Sequence, residues 1–247
     1  MANLENIGAQ IIGVRDKWHT KNHPFFQRML DGSIDLYPLG IYMASHYKFV
    51  EMALPAFGFL LWKGPDDVKR SVIENLAEEI GLVAIPGPGH EPHDHTRMMY
   101  DFCNAAGISE EEVKSFKIGA AWHARRLHYA HTVRDEPLGV VLAMQSTQEG
   151  QMPELNKEVT IPSFVKHYGF SHNSKEIAFF VEHAEADVEH SVRQMELCEK
   201  YITTREIADR ALEVCEEACM LRWEATTEIY REHVLKEARI LPPTMVS

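Results

Sequence analysis

Apolar residues recur at three- and four-residue intervals along most of this chain, while period-two alternation bounded by turn signals is scarce. A chain of amphipathic helices must bury its apolar stripes helix against helix, which predicts an all-α bundle. The spacing predicts a helix through the first 20 residues, a short one at "HPFFQRML", and a long one through "DLYPLGIYMASHYKFVEMALPAFGFLLW". Pro55 inside that last segment predicts a kink or break near residue 54. After "KGPDD", where Asp66 or Asp67 can cap, a helix runs through "VKRSVIENLAEEIG" and stops at Gly81.

The insert "LVAIPGPGHEPHD" is dense in Pro and Gly and reads as irregular, a candidate lid. Helix resumes at "HTRMMYDFCNAAG", and Ser109 with Glu112 three residues on marks the next start. Further helices are expected over roughly 109–132, 136–158, 174–200 and 204–235. No low-complexity linker or fixed-period repeat divides the series, so residues 1–247 read as a single helical domain.

Composition narrows the class. With 45% hydrophobic and 25% charged residues the chain can bury a core. Its formal charge of -12 and lack of a dense Lys/Arg block argue against nucleic acid as a partner. No basic leader precedes an apolar run, and no segment reaches the roughly eighteen apolar residues of a spanning helix, so no membrane partner and a cytoplasmic location are expected. Cys103, Cys198, Cys215 and Cys219 are too scattered for a disulfide scaffold and read as core filler.

One stretch stands out chemically. In "FFVEHAEADVEHSV", residues 179–192, His183, Asp187 and His190 lie four and three residues apart. On a helix they fall within about 60° of one another. Two imidazoles and a carboxylate on one face are ligand types for divalent iron, manganese or zinc. Glu182, Glu185 and Glu189 group on the side away from His183 and Asp187, whereas Phe179, Phe180 and Ala184 place the candidate ligands near the buried face. One helix cannot enclose a metal ion. Glu149, in the mild apolar stretch after "VVLAMQSTQ", is a carboxylate that needs a cation or hydrogen-bond partners if buried. Upstream lie Glu78/Glu79 and the His-rich "GHEPHDHTRM" with His90, His93 and His95.

The series "ENLAEEIG…HTRMMYDFCNAAGISEEEV", "QEGQMPEL" and "FFVEHAEADVEH" resembles the haem-oxygenase-like diiron oxidases and oxygenases, related to the PqqC, TenA and CADD proteins. The likeness runs from "NHPFF" to about residue 200. It implies an all-α, haem-oxygenase-like bundle of about seven to eight helices and a non-haem site of two Fe, or Fe/Mn. By the family's pattern Glu78, His95, Glu149, His183, Asp187 and His190 would be the ligands, with Glu149 as the bridging, catalytic carboxylate. Glu79 and Glu91 compete with Glu78, because the loop before His95 is longer than in relatives. The expected chemistry is oxidation of a small, possibly amino-acid-like metabolite by O2, with an external reductant and a homodimeric assembly. The para-aminobenzoate-forming branch uses its own tyrosine and lysine where this chain has Phe26 and Val159, which points here to an external substrate. Two other readings stay open: a cofactorless PqqC-like oxidase of a quinone-type precursor, and a non-catalytic helical binding protein.

Tyr42, His46 and Tyr47 are candidates to line a substrate pocket, as aromatics that otherwise pack in the core. Arg125, Arg126, His123 and His128 are candidates to hold a substrate carboxylate.

Overall fold

The computed structural model describes residues 4–85 and 90–240, and within the helix 178–201 it leaves the side chains of 186–190 undescribed. Among the described residues there is no strand, only helices and the isolated bridge Ile80↔Asp94. The helices are α1 (Ile7–Lys17), α2 (Pro24–Leu30), α3 (Leu36–Lys63), α4 (Asp66–Glu79), α5 (His95–Ala105), α6 (Glu110–Ser115), α7 (Ala120–Asp135), α8 (Leu138–Glu149), α9 (Met152–Leu155), α10 (Ile161–His167), α11 (Ala178–Tyr201) and α12 (Arg205–Ile229). Eight of these have eleven or more residues; the short ones are turns that redirect the chain.

The centre of the bundle is α8. Every residue from Gly139 to Gln148 is buried, because α11 and α12 pack on it and α1 and α7 close the remaining sides. α3 lies against α5, α7 and α4. Large side chains such as Trp122, Phe25, Phe102 and Phe164 are fully buried. Burying such a ring contributes about 1.5–3 kcal/mol relative to exposure. The four cysteines are free and buried, as read from the sequence.

Some boundaries differ from the spacing-based expectation. Pro55 does not interrupt α3, which continues to Lys63. Proline removes one amide donor and crowds the carbonyl four residues earlier, but Pro55 and Glu51 are both exposed, so that carbonyl faces water. The segment expected to continue through 158 breaks after Glu149 into α9 and a π-helical turn at Asn156–Thr160. The segment 109–132 divides into α6 and α7. In α6, Ser109 and Glu112 form the reciprocal cap read from the sequence.

Candidate metal centre

Four helices carry the acid and imidazole groups of the candidate centre. Glu79 is the last residue of α4, His95 the first of α5, Glu149 the last of α8, and His183 lies one turn into α11. The Pro/Gly insert between α4 and α5 does not separate its ends. Ile80 and Asp94 pair as an antiparallel bridge, and the Asp94 carboxylate caps α5 by accepting from the Thr96 and Arg97 amides. Gly81 makes the closure possible. Its φ is +69°, and a Cβ there would stand 2.8 Å from both the Asp94 nitrogen and the His93 carbonyl carbon. The lid expected for this insert falls partly on residues 86–89, which lie outside the described residues.

The result is a cluster in which ligand atoms of Glu79, His95 and His183 all lie within 4.8 Å of one another. His183 Nδ1 is 2.7 Å from the Phe179 carbonyl, and the ring stacks on Phe179 at 4.0 Å between centroids. A carbonyl can only accept, so Nδ1 carries the proton and Nε2 keeps its lone pair for a metal. His95 stands between two carboxylates, its Nδ1 2.9 Å from Glu79 and its Nε2 3.1 Å from Glu182. Burial alone would lower the imidazole pKa, but the charges and hydrogen bonds of Glu79 and Glu182 raise it to about 10.

Two imidazoles and a carboxylate at mutual ligand distance, one imidazole with its tautomer fixed by a backbone carbonyl, fit a divalent iron site. Glu149 lines the same cavity and accepts a 2.7 Å hydrogen bond from Gln194. Asp187 and His190 sit further along α11, and their side chains lie outside the described residues. Among the described residues Glu78, the residue the family pattern favoured, is buried and the three-residue cluster takes in its neighbour Glu79 instead. The reason is helical phase. Val68, Val72, Asn75 and Glu78 form the buried stripe of α4, while Ile73 and Ile80 are exposed, so the terminal Glu79 rather than Glu78 reaches past the helix end to His95. Glu91 is exposed and lines a separate surface cavity with His93 and Asp101.

Glu182 overturns one detail of the sequence reading. Its side chain is only 10% exposed and it contacts both His93 and His95, whereas Glu185 is exposed beside His90. The helical wheel of α11 placed Glu182 outside because it could not show that the N-terminus of α5 docks on that flank.

The cavity beside the cluster has a volume of about 100 Å³, with walls from Phe49, Leu54, Phe57 and Phe179 and polar groups from His46, Asn75, Tyr129 and Gln145. His46 is held well below the usual histidine range by burial, then by the charges of Arg125 and Arg222, and is neutral. Tyr42 is not in this cavity; it stacks on Phe25, meets Phe26 and Trp122 edge-on, and lines a smaller adjoining void. Tyr47 donates no contact to the cavity and pairs with the Tyr100 hydroxyl at 2.8 Å. Of the four basic candidates on α7 only Arg125 reaches the cavity; His128 faces Glu217 and His123 is exposed. Arg222 of α12, which the sequence did not single out, joins it.

Comparison with known proteins identifies the family and the fold. The family described as iron-containing redox enzymes matches residues 41–223. The chain is 26% identical to the 4-aminobenzoate synthase of Chlamydia muridarum, over 86% of this chain and 85% of that one. It is 21% identical to the 4-aminobenzoate synthase of Nitrosomonas europaea, over 91% of each. Among solved structures, a protein of Shewanella denitrificans with a heme oxygenase-like fold superposes with a TM-score of 0.74 at 18% identity, covering 96% of this chain and 95% of that one. A TenA homologue from Pseudomonas syringae gives 0.75 at 16% identity, covering 94% and 98%. No helix among the described residues is long and apolar enough to cross a membrane. With a Glu/His/His cluster able to hold a metal ion in a haem-oxygenase-like all-α bundle and a family match over residues 41–223, the chain belongs to the iron-containing redox enzymes and is an iron-dependent oxidoreductase.

Proposed function

We propose that the protein is a non-haem oxidase or oxygenase that holds two iron ions with Glu79, His95, Glu149, His183, Asp187 and His190, and uses dioxygen to oxidise a small external organic substrate. The observation that carries this reading is the Glu79/His95/His183 cluster, two of whose members, Glu79 and His183, line the cavity. Bound ferrous iron supplies the electrons that dioxygen requires, and an external reductant restores them. The chain's own residues do the rest. The Phe179 carbonyl fixes the His183 tautomer, Gln194 orients the Glu149 carboxylate, and Phe49, Phe57 and Phe179 keep bulk water from the reacting space.

An external substrate is favoured over self-modification. Phe26 and Val159, the positions that the resemblance matches to the tyrosine and lysine of the para-aminobenzoate-forming branch, are 2% and 3% exposed and offer neither phenol nor amine. On this reading the chain, similar in sequence to the 4-aminobenzoate synthases, acts on a separate small molecule rather than on its own side chains.

The test is an oxygen-electrode measurement on protein loaded anaerobically with ferrous iron, with ascorbate as reductant. Iron-dependent oxygen uptake above the rate of free iron, lost in His183→Ala, is expected. Uptake that is independent of iron would instead favour the cofactorless oxidase, and none at all the binding-protein reading.

A further inference from the structure

Two arginines are buried in the cavity wall. Arg125 is 4% exposed and Arg222 is 3% exposed, and among the described residues neither forms an ion pair. Arg125 lies over the Phe49 ring at 4.0 Å and donates one bond, 3.3 Å long, to the Gln148 side chain; its Nε and Nη1 have no partner. Arg222 donates to the Gln148 carbonyl at 2.6 Å and faces the Met152 sulfur at 3.0 Å, while its Nε has no partner. Burying a guanidinium with donors unmade is among the costlier things a fold can do, and two side by side repel as well. The repulsion registers on Arg125, whose pKa is pulled down to about 9 by burial and then by Arg222, leaving it protonated at neutral pH. A core that needed only volume here would use methionine or leucine.

We infer that Arg125 and Arg222 form the anion seat of the cavity, and that the substrate is a small carboxylate whose acid group is held there while its apolar part extends along Phe49, Leu54 and Phe57 toward the metal centre. The inference rests on the function proposed above and narrows its substrate class. A planar carboxylate matches the forked guanidinium donors and fills the unmade bonds. It also places opposite charge between two like charges, and it leaves the Glu79 and Glu149 carboxylates to the metal. The stacking of Arg125 on Phe49 fixes the plane of the guanidinium, so that the seat is formed before the ligand arrives.

The test uses three probes of one shape, hexanoate, hexan-1-ol and hexylamine, measured by calorimetry against the iron-loaded protein kept anaerobic and against the metal-free protein. Hexanoate is expected to bind both forms at least ~ten-fold more tightly than the alcohol, with the amine weakest. Arg125→Met and Arg222→Met are expected each to weaken hexanoate by about ten-fold or more while iron content stays at the wild-type level, and Arg125→Lys to recover part of the loss. Equal binding of alcohol and acid, or no binding of hexanoate, overturns the inference on wild-type protein alone, even if the methionine variants do not fold. Hexanoate that binds only the iron-loaded form and ignores the arginine substitutions is ligating the metal, which also overturns it. Protein that takes up no iron but binds hexanoate through the arginines refutes the proposed oxygenase function and leaves the anion seat standing.

Discussion

Glu79 and His95 are separated by sixteen residues in the chain, yet their side chains meet at 2.9 Å because the backbone closes behind them at the Ile80↔Asp94 bridge. The intervening insert can therefore be long without moving the site: its two ends are fixed, and only the excursion between them varies.

The closure depends on Gly81. A side chain there meets both a left-handed φ and backbone atoms of His93 and Asp94 that cannot step aside. Gly81→Ala is expected to cost roughly 1–3 kcal/mol in unfolding free energy, and to lower iron content, since the strain falls on the segment joining Glu79 to His95. Urea unfolding and elemental analysis of the purified variant measure both effects. Wild-type stability and full iron would show that the bridge does not organise the site.

The adjacent glutamates of α4 separate by substitution. Glu79→Ala removes a carboxylate from the cluster and is expected to lose most bound iron. Glu78→Ala leaves the cluster intact and is expected to retain it. Iron quantified after anaerobic loading and desalting reads the difference, and the opposite ranking would restore Glu78 as the ligand.

Two histidines outside the site make stability sensitive to acid. His19 and His23 are each 2% exposed, and each accepts an amide hydrogen bond at Nδ1, from Lys21 at 3.2 Å and from Phe25 at 3.0 Å, so that each caps the helical turn that follows it. Burial lowers both pKa values to about 4. Above pH 6.5 both folded and unfolded states are neutral and nothing changes. As pH falls from 6.5 towards 4 the unfolded chain takes up protons that the folded chain refuses, so stability falls, by on the order of 3 kcal/mol per histidine at most. His23→Asn keeps a capping acceptor that does not titrate. The stability gap between wild type and this variant, followed by urea unfolding at several pH values, is expected to shift in the variant's favour from pH 6.5 to 4; a constant gap would refute this account of His23.

Much of the architecture was legible in the spacing of apolar residues, because a helix that packs on one face shows that face in its sequence. α8 is the informative exception. It is buried all round, so its apolar residues carry no phase, and Glu149 was found as a carboxylate in an apolar context rather than from a pattern. Local signals such as Ser109 with Glu112 also read correctly, since both partners of a cap lie within one turn. What the sequence could not show was how helix ends meet. The choice between Glu78 and Glu79 turns on where α4 stops relative to α5, and Glu182 was assigned to solvent because nothing local marks the docking of α5 against α11. Arg222 was missed for the same reason: its partners at Gln148 and Met152 are about seventy residues distant along the chain.

The most direct measurement is an anaerobic titration of the metal-free protein with ferrous iron, followed by admission of oxygen in a stopped-flow spectrometer. The account predicts saturation at two irons per chain and a transient visible absorption after oxygen is added, with both reduced in Glu79→Ala and His183→Ala. An absence of iron binding, or binding and spectra in those variants that match wild type, would contradict it.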